Sequence, residues 1–341
     1  MAQKSLRELL DDFLTSLDTG PCITATRHFP SKPPRWAPFP SSLDPRLIDA
    51  LKGRGVHQLY SHQHRAFELA EKGHHLVVVT PAASGKTLCF NLPTLQALLQ
   101  QGESRVLYLF PTKALAQDQL AELEELAKAL PDLRMFTYDG DTPQDARRAV
   151  RARANLVLTN PDMLHSGILP HHTKWVNLFQ NLRYVVIDEL PAYRGVFGSH
   201  LANVLRRLKR ICRHYGSTPQ FIMASATIAN PRELAERLTG ESVEEISLSG
   251  APTGDKLFLC YNPPVVNPEL GIRAPYLGEA ARFATRFLKE KIATIVFAQS
   301  RLATEVLLST IKTAGRDKVG DSGIVRGYRG GYLHNRRREV E

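Results

Sequence analysis

Cysteine is scarce in this chain of 341 residues, and the four cysteines present are scattered. They stand at Cys22, Cys89, Cys212 and Cys260, with no Cys-x-x-Cys pair and no Cys/His spacing that would hold zinc. A zinc module needs closely spaced Cys or His ligands, and a disulfide framework is typical of small secreted chains that are rich in cysteine. We therefore expect buried, reduced thiols and no zinc site.

Long apolar runs are also missing. No stretch approaches the ~18 uncharged apolar residues that are needed to span a bilayer. The first residues lack the basic-then-apolar order of a secretion signal. These absences predict a cytoplasmic protein with no membrane partner.

Acidic residues are outnumbered by basic ones. The chain has 44 Lys and Arg against 34 Asp and Glu, which gives a net charge of +10 and a pI near 9.5. Such a balance favours a polyanionic partner, although it says nothing about the fold. Nucleic acid fits this charge better than a membrane does.

The first 45 residues are predicted to be an N-terminal helix followed by a Pro-rich extension. Apolar residues recur there at the i, i+3, i+4 spacing of an amphipathic helix, at Leu6, Leu9, Leu10, Phe13, Leu14 and Leu17. We expect this helix to dock on the main body of the protein. Residues 20–45 are rich in Pro, Ser and Arg, which predicts an ordered loop or a linker.

Residues 46–240 are predicted to form one α/β domain. Short β-branched or aromatic runs alternate there with helical patterns, and the runs lie at residues 76–80, 106–110, 135–138, 156–159, 184–187 and 221–224. This alternation indicates a doubly wound parallel sheet that is covered by helices on both faces.

Residues 241–275 are predicted to link this domain to the start of a second one at residues 276–341. The stretch 242–264 is strand-like and ends in Asn-Pro-Pro. A helix at 277–291, a strand at 293–298 and a helix at 300–311 are expected to follow. So few strand-helix units would leave apolar faces uncovered, which predicts an incomplete domain.

Polar clusters follow five of the predicted strands. Ligands of open α/β sheets bind at the carboxyl ends of the strands, so the clusters are expected to share one functional edge. They begin at Pro81, Pro111, Asn160, Asp188 and Ser225.

Residues 77–87 carry the strongest chemical signal. A valine strand breaks into a loop of small residues that ends in Gly85-Lys86-Thr87, and an apolar helix follows. The backbone N–H groups of such a loop cradle phosphate oxygens, Lys86 can reach the β- and γ-phosphates, and the Thr87 hydroxyl can bind Mg²⁺. We therefore expect ATP with Mg²⁺, held by Thr80, Ala82, Ala83, Ser84, Gly85, Lys86 and Thr87.

Asp188 and Glu189 follow the strand 184–187. In the same sheet, Asp188 is expected to hold the Mg²⁺ together with Thr87, and Glu189 to orient and deprotonate the attacking water. An exposed acidic strand end is the alternative interpretation. Together with Lys86, the two carboxylates are the predicted catalytic residues.

At these motifs the chain resembles the DEAD/DEAH-box helicases of superfamily 2, over nearly all of its length from about residue 43. The resemblance implies a P-loop, RecA-like fold followed by an incomplete second RecA-like domain. It places Gln63 on the adenine base, with Tyr60 nearby. In this family Thr is ordinary at the position of Thr80.

The resemblance also implies nucleic-acid and coupling residues. Segments that hold the nucleic-acid backbone correspond to Pro111, Thr112 and Lys113, and to Thr159, Asn160 and Asp162. Thr112 and Asp162 could equally be ordinary helix caps. Ser225 and Thr227 match the segment that couples ATP turnover to movement.

Residues 192–200 resemble more narrowly the branch of DNA-repair helicases related to bacterial mitomycin-repair proteins. This match favours DNA over RNA and implies 3′→5′ movement. The expected function is ATP hydrolysis coupled to strand separation or translocation. A catalytically silent module that holds ATP and DNA, and an RNA helicase, are the alternatives.

Two departures from the family pattern bear on activity. Leu190-Pro191 stands where the family has Ala-His or Ala-Asp, and Pro191 offers neither a polar side chain nor an N–H group. The chain also stops before the arginine-finger motif, a group that can contribute about 10³–10⁵ in rate. We therefore expect a C-terminally truncated product whose second domain another polypeptide could complete.

Basic residues crowd two predicted helices. They are Arg147, Arg148, Arg151 and Arg153 on one helix and Arg206, Arg207, Lys209, Arg210 and Arg213 on the other. Runs of charge usually face water, so solvated helix faces are the simpler interpretation.

Overall fold

The computed structural model describes residues 4–315, apart from 129 and 131, and residues 324–331. Within it the chain divides into two compact units. One is Ser31–Gly254, and the other combines the described parts of Met1–Pro30 and Asp255–Glu341.

The strands of the described residues are β1 (Ile23–Phe29), β2 (Trp36–Ala37), β3 (Leu59–Tyr60), β4 (His75–Val79), β5 (Arg105–Leu109), β6 (Met135–Thr137), β7 (Leu156–Thr159), β8 (Leu182–Ile187), β9 (Gln220–Ser225), β10 (Val243–Ile246), β11 (Lys256–Tyr261), β12 (Val265–Asn267) and β13 (Ile272–Arg273).

The α-helices are α1 (Leu6–Thr15), α2 (Pro45–Gly53), α3 (Ser61–Glu71), α4 (Lys86–Gln100), α5 (Lys113–Ala127), α6 (Gln144–Arg153), α7 (Pro161–Met163), α8 (Val176–Gln180), α9 (Gly195–His214), α10 (Pro231–Thr239), α11 (Tyr276–Lys289) and α12 (Arg301–Gly315). A π-helical turn, Leu164–Ile168, follows α7, and short 3₁₀ helices span Gly20–Cys22, Leu169–Lys174 and Leu190–Ala192.

A seven-stranded sheet forms the centre of the unit Ser31–Gly254. Its strand order is β10-β4-β9-β8-β5-β7-β6, and every neighbouring pair is parallel. The strand that carries the phosphate loop therefore lies two places from β8, with β9 between them. This sheet confirms the predicted α/β, RecA-like fold.

In β4, β5, β7, β8 and β9, alternate residues are buried on opposite faces of the sheet. In β4, Leu76 and Val78 belong to one buried cluster, whereas Val77 and Val79 belong to the other. The first cluster includes residues of α2 to α5, and the second includes residues of α8 to α10. Because both faces are covered, a strand of consecutive valines is stable here, as expected for a parallel sheet.

The sheet extends into segments that were predicted to lie outside the domain. β10, in the predicted linker, pairs with β4 at its edge. The Arg35 N–H donates to the Gly250 carbonyl at 2.8 Å, and Lys32 bridges Thr253. Residues 31–45 and 241–254 therefore pack with this unit, so the compact units do not follow the boundaries predicted at 45/46 and 240/241.

The other unit is assembled from both ends of the described chain. β1 pairs with β11 in antiparallel register, from Ile23 opposite Tyr261 to Phe29 opposite Lys256. The predicted helix at the N-terminus forms as α1, and its Phe13 ring packs 5.1 Å from Phe283 on α11. The amphipathic face of α1 is thus covered by α11.

The expected strand at 293–298 does not form. No described strand lies beside this run to complete its backbone hydrogen bonds, and the side chains of Ile295 and Phe297 are 80% and 92% exposed. The two flanking helices form close to their predicted bounds, as α11 and α12. The assignment of 276–341 as the start of a second RecA-like domain stays a prediction.

Every helix of the described residues is too short or too polar to cross a lipid bilayer.

Candidate nucleotide and nucleic-acid site

The predicted phosphate loop joins β4 to α4 at the carboxyl edge of the sheet. Ala83 and Gly85 have left-handed backbone conformations, with φ of 57° and 75°. Thr80 and Ser84 are buried and share a hydrogen bond of 2.6 Å between their hydroxyl groups, which closes the loop from within. A loop with this curvature that ends at a helix N-terminus directs backbone N–H groups to one point, as anion binding requires.

Lys86 lies over this loop. Its Nζ donates to the Thr80 carbonyl at 2.8 Å and to the Pro81 carbonyl at 2.9 Å. The ammonium is thus held where the loop curves, and Ala82 and Ala83 are exposed beside it. Thr87, the next residue of α4, is half-buried.

Gln63 locks the loop to α3. Its Nε2 donates to the Gly85 carbonyl at 2.9 Å, and its Oε1 accepts the Tyr60 N–H at 2.9 Å. A Cβ at position 85 would lie 2.6 Å from Gln63 Nε2 and 4.0 Å from the Tyr60 ring. Glycine at this position therefore allows both the positive φ and the close approach of the predicted adenine-reading segment.

Asp188 extends β8 toward the same edge, where its backbone N–H donates to the Leu109 carbonyl at 3.1 Å. Its Oδ1 accepts the backbone N–H of Glu189 at 2.8 Å. Burial raises the pKa of the Asp188 carboxyl to about 6; the negative charge of Glu189 adds to this rise, and the positive charge of Lys86 opposes it. A raised pKa beside a cationic group in a cleft is typical of functional carboxylates.

Glu189 is exposed and adopts a left-handed backbone, with φ 53° and ψ 50°. A non-glycine residue in this conformation costs of order 1 kcal/mol and is most often found at functional sites. The turn separates the two acidic side chains, so that one is half-buried and the other faces solvent.

The predicted coupling residues lie between β4 and β8. Ser225 ends β9 opposite Val79 of β4, is buried, and donates its hydroxyl to the Ala226 carbonyl at 2.6 Å. Thr227 is exposed and makes no side-chain hydrogen bond to any described residue. Leu190 is fully buried, and Pro191 lies in the 3₁₀ turn after Glu189. These two residues therefore offer no polar side chain at the position where the family has Ala-His or Ala-Asp.

The first predicted nucleic-acid segment follows β5. Thr112 caps α5, because its Oγ1 accepts the Leu115 N–H at 3.3 Å. Lys113 is exposed, and its Nζ donates to Asp141 Oδ2 at 2.7 Å, which raises the pKa of the lysine. Pro111 is half-buried between these residues and the end of β5.

The second predicted segment follows β7. Asn160 caps α7 by accepting the Met163 N–H at 2.8 Å, and Asp162 is exposed in the first turn. Thr159 is buried and donates its hydroxyl to the Tyr138 carbonyl. The Thr159 hydroxyl therefore stabilises the sheet edge and does not face solvent, in contrast to its predicted role as a nucleic-acid contact.

Sequence reasoning missed an aromatic pair beside the phosphate loop. Trp36 of β2 lies opposite Tyr60 of β3, and the two rings stack with centroids 4.7 Å apart and planes inclined by 21°. The Trp36 side chain remains 52% exposed, so one face is available to a ligand. Its only sequence signal was a bulky aromatic residue in a Pro-rich segment.

Two buried polar side chains near the site were also missed. His62 Nδ1 accepts the Gly250 N–H at 3.1 Å, and burial lowers the pKa of the imidazole. Its Nε2, like the buried hydroxyl of Tyr193, has no hydrogen-bond partner among the described residues. The Tyr193 pKa is raised by burial and by the charges of Asp188 and Glu189, so this ring lies close to the acidic pair.

Comparison with known proteins identifies relatives of the whole chain. The family model described as DEAD/DEAH box helicase matches residues 60–234. YprA of Bacillus subtilis, an uncharacterized ATP-dependent helicase, is 53% identical over all of this chain and 45% of its own length. The ATP-dependent helicase hrq1 of Schizosaccharomyces pombe is 35% identical over 99% of this chain and 33% of its own length.

A solved structure is also closely similar. The crystal structure of the DUF1998 helicase MrfA bound to DNA and AMPPNP has a TM-score of 0.94 at 52% identity, over 99% of this chain and 46% of that one. The chain thus spans less than half the length of each of these relatives. In each relative the match lies within one longer polypeptide, so the predicted second polypeptide finds no support.

Proposed function

Because this chain belongs to the DEAD/DEAH box helicase family, we propose that it binds ATP and DNA and provides the ATP-dependent part of a DNA helicase in DNA repair. The observation that carries the proposal is the arrangement of Lys86 and Asp188. Asp188 directly follows β8, and Lys86 begins the helix after the loop that follows β4. The two strands belong to one parallel sheet and are separated only by β9, and the lysine's charge acts on the carboxyl group.

ATP is the proposed nucleotide. Its triphosphate would lie against the backbone N–H groups of the loop 80–87, with Lys86 exchanging its two carbonyl contacts for phosphate oxygens. The exposed face of Trp36 is suited to stack on the adenine base. AMPPNP is a ligand of the related helicase MrfA, which supports this choice.

Mg²⁺ fits the oxygen donors at this edge. Thr87 offers a hydroxyl and Asp188 a carboxylate, and hard oxygen ligands together with nucleotide phosphates are the usual environment of this ion. When bound, Mg²⁺ would withdraw charge from the phosphate oxygens.

Glu189 is the proposed catalytic base. Its exposed side chain follows directly after Asp188, and a carboxylate there can orient a water molecule for attack on the γ-phosphate and accept its proton. The Lys86 ammonium would offset the negative charge that develops on the phosphate oxygens. These roles need no movement of the sheet.

DNA is the proposed polyanion, with movement in the 3′→5′ sense that the family resemblance implies. Lys113 and the N-termini of α5 and α7, capped by Thr112 and Asn160, are suited to phosphate oxygens. Such contacts position a strand without reading its sequence. DNA is also a ligand of MrfA, and residues 192–200 favour it over RNA.

The test is the ATPase rate with and without single-stranded DNA, for the wild-type chain and for Glu189→Gln. We expect DNA to stimulate the wild type, and the Gln variant to keep ATP binding while losing turnover by a factor of about 10² or more. Competition between DNA and RNA strands of equal length would then identify the preferred polymer, since 2′-hydroxyl contacts distinguish them.

A module that holds ATP and DNA without turnover is the second candidate. Pro191 favours it, because this residue gives Ser225 and Thr227 no polar side chain and no N–H group to meet. Negligible rates for both chains in all four assays, with ATP still bound, would favour the module.

A further inference from the structure

A cationic cavity lies at the carboxyl edge of the sheet, next to the proposed DNA contacts. Its volume is about 550 Å³, and its walls come from the residue after β6, from α6 and from the segment after α7. Four cationic or basic side chains line it, together with Trp175 and Ser166, and none of the lining residues is acidic. The four are Arg147, Arg151, His171 and Lys174.

Arg147 is the fixed member of this group. Its Nε donates to the Thr142 carbonyl at 2.8 Å, one terminal nitrogen donates to the Asp139 carbonyl at 3.0 Å, and its guanidinium lies 5.3 Å from the centre of the Tyr138 ring. These partners are neutral backbone and ring groups, and Arg147 forms no ion pair with a carboxylate in the part of the chain that the structure describes.

Arg151 and Lys174 are less constrained. Neither makes an ion pair or a side-chain hydrogen bond with any residue that the structure describes. In contrast, Lys113 outside the cavity pairs with Asp141. Two unpaired cations that face one concave volume repel each other, and an anion between them would relieve that repulsion.

Trp175 lines the cavity with a buried ring. The ring is only 2% exposed, and its Nε1–H has no acceptor among the described residues. A buried N–H without a partner costs about 1–3 kcal/mol.

The backbone around the cavity is irregular. The turn Leu164–Ile168 is π-helical, and it carries Ser166 and Gly167 on the cavity wall. The following turn, Leu169–Lys174, is kinked at His171. Single π turns of this kind occur frequently at functional sites.

The cavity continues the proposed DNA path. Gly140 lies between Lys113 and the cavity. A Cβ at this position would lie 3.5 Å from Lys113 Nζ, and the Gly140 carbonyl accepts a hydrogen bond from Arg147 at 3.3 Å. A strand held at Lys113 and Asn160 would need to extend past only this loop to reach Arg147. We propose that the cavity binds a backbone phosphate of the DNA beyond the contacts at Lys113 and Asn160, with Arg151 and Lys174 among the cations that hold it.

This inference rests on the proposed function, and a double variant tests it. Arg151→Gln with Lys174→Gln removes two charges from the cavity. The matched control, Arg148→Gln with Arg153→Gln, removes two charges from exposed positions of α6 that do not line it. The measurement is the affinity for a single-stranded oligonucleotide over a series of salt concentrations.

We expect the cavity variant to lose affinity by roughly tenfold and to flatten the slope of log K against log salt by about 0.7, the value for one phosphate contact in single-stranded DNA. The control should change neither quantity. Equal losses in both variants, or no loss in the cavity variant while the wild type binds, would overturn the inference and leave the proposed function intact. A wild-type chain that binds no DNA would overturn both.

Trp175 gives a second readout that does not depend on the charge variants. The chain has two tryptophans, so Trp175 is the sole fluorophore of its kind in Trp36→Phe. Its emission should change when the oligonucleotide is added and should not saturate with inorganic phosphate. Saturable binding of phosphate with no response to DNA would show a small-anion site and contradict the proposal.

Discussion

Replacing Asp188 by asparagine should stabilise the unit Ser31–Gly254 at neutral and alkaline pH. Burial raises the pKa of this carboxyl from 3.8 to about 6, so the folded chain holds its proton over a pH range in which the unfolded chain has lost it. A shift of about two units corresponds to roughly 3 kcal/mol at 1.36 kcal/mol per unit.

Asp188→Asn should raise stability, and not lower it, because the pKa of the Asp188 carboxyl is raised in the folded chain. Well below pH 3.8 the group is neutral in both states, and it then contributes no penalty. The penalty grows as the pH rises toward about 6 and is constant above that value. Asparagine has the same shape and can still accept the Glu189 N–H, but it carries no charge, so it removes the penalty.

The free energy of unfolding should therefore be higher in Asp188→Asn by about 1–3 kcal/mol near pH 8, and the two chains should converge below about pH 3. Urea unfolding followed by tryptophan emission is suited to this measurement, because Trp36 and Trp175 both belong to this unit. Glu189 is exposed and provides the control. Glu189→Gln should change the free energy of unfolding by less than about 0.5 kcal/mol.

A variant that is less stable than the wild type near pH 8, or a difference that is independent of pH, would refute this reasoning. Confirmation would mean that the chain keeps a destabilising carboxylate at the nucleotide site. Such a cost is common where a residue is needed for activity.

Three further substitutions have expected outcomes. Gly85→Ala should destabilise the unit by at least 1 kcal/mol and abolish ATP binding in calorimetry. The added Cβ would clash with Gln63, and φ at this position is 75°, which alanine rarely adopts. Retained binding would contradict the proposed loop geometry. Trp36→Ala should weaken ATP binding by about 2- to 12-fold, the range of 0.5–1.5 kcal/mol for an aromatic pair, whereas Trp36→Phe should largely restore it; equal affinity in all three chains would exclude base stacking. Tyr193→Phe removes a buried hydroxyl that has no partner among the described residues, and in urea unfolding it should leave the free energy of unfolding unchanged or raise it by up to about 1 kcal/mol; a clear loss of stability would reveal a hidden hydrogen bond.

The parts of the fold that could be predicted are those with a local signal. The valine run of β4 and the small residues after it specify a buried strand and a phosphate loop from composition alone. The acidic pair was placed correctly at a strand end, because a short apolar run defines β8. Each of these features depends on residues that are close together in the sequence.

The parts that could not be predicted depend on distant partners. The run at 293–298 has the composition of a strand, but a strand also needs a neighbour that composition does not specify. Trp36 is placed by the pairing of β2 with β3, which sets it opposite Tyr60, a residue 24 positions later in the sequence. Thr159 lies in a motif that was expected to contact nucleic acid, yet its hydroxyl donates to the Tyr138 carbonyl of the adjacent segment.

The pairing of β1 with β11 has a consequence for synthesis on the ribosome. The two strands are separated by more than 220 residues, so the first must emerge and wait without its partner while everything between them is translated. At about 5–20 residues per second this delay lasts roughly 10–50 s. The intervening unit Ser31–Gly254 contains its own sheet and both of its buried clusters, and it can fold during that interval. An amphipathic α1 with no α11 to cover Phe13 is then a natural target for a chaperone on the nascent chain.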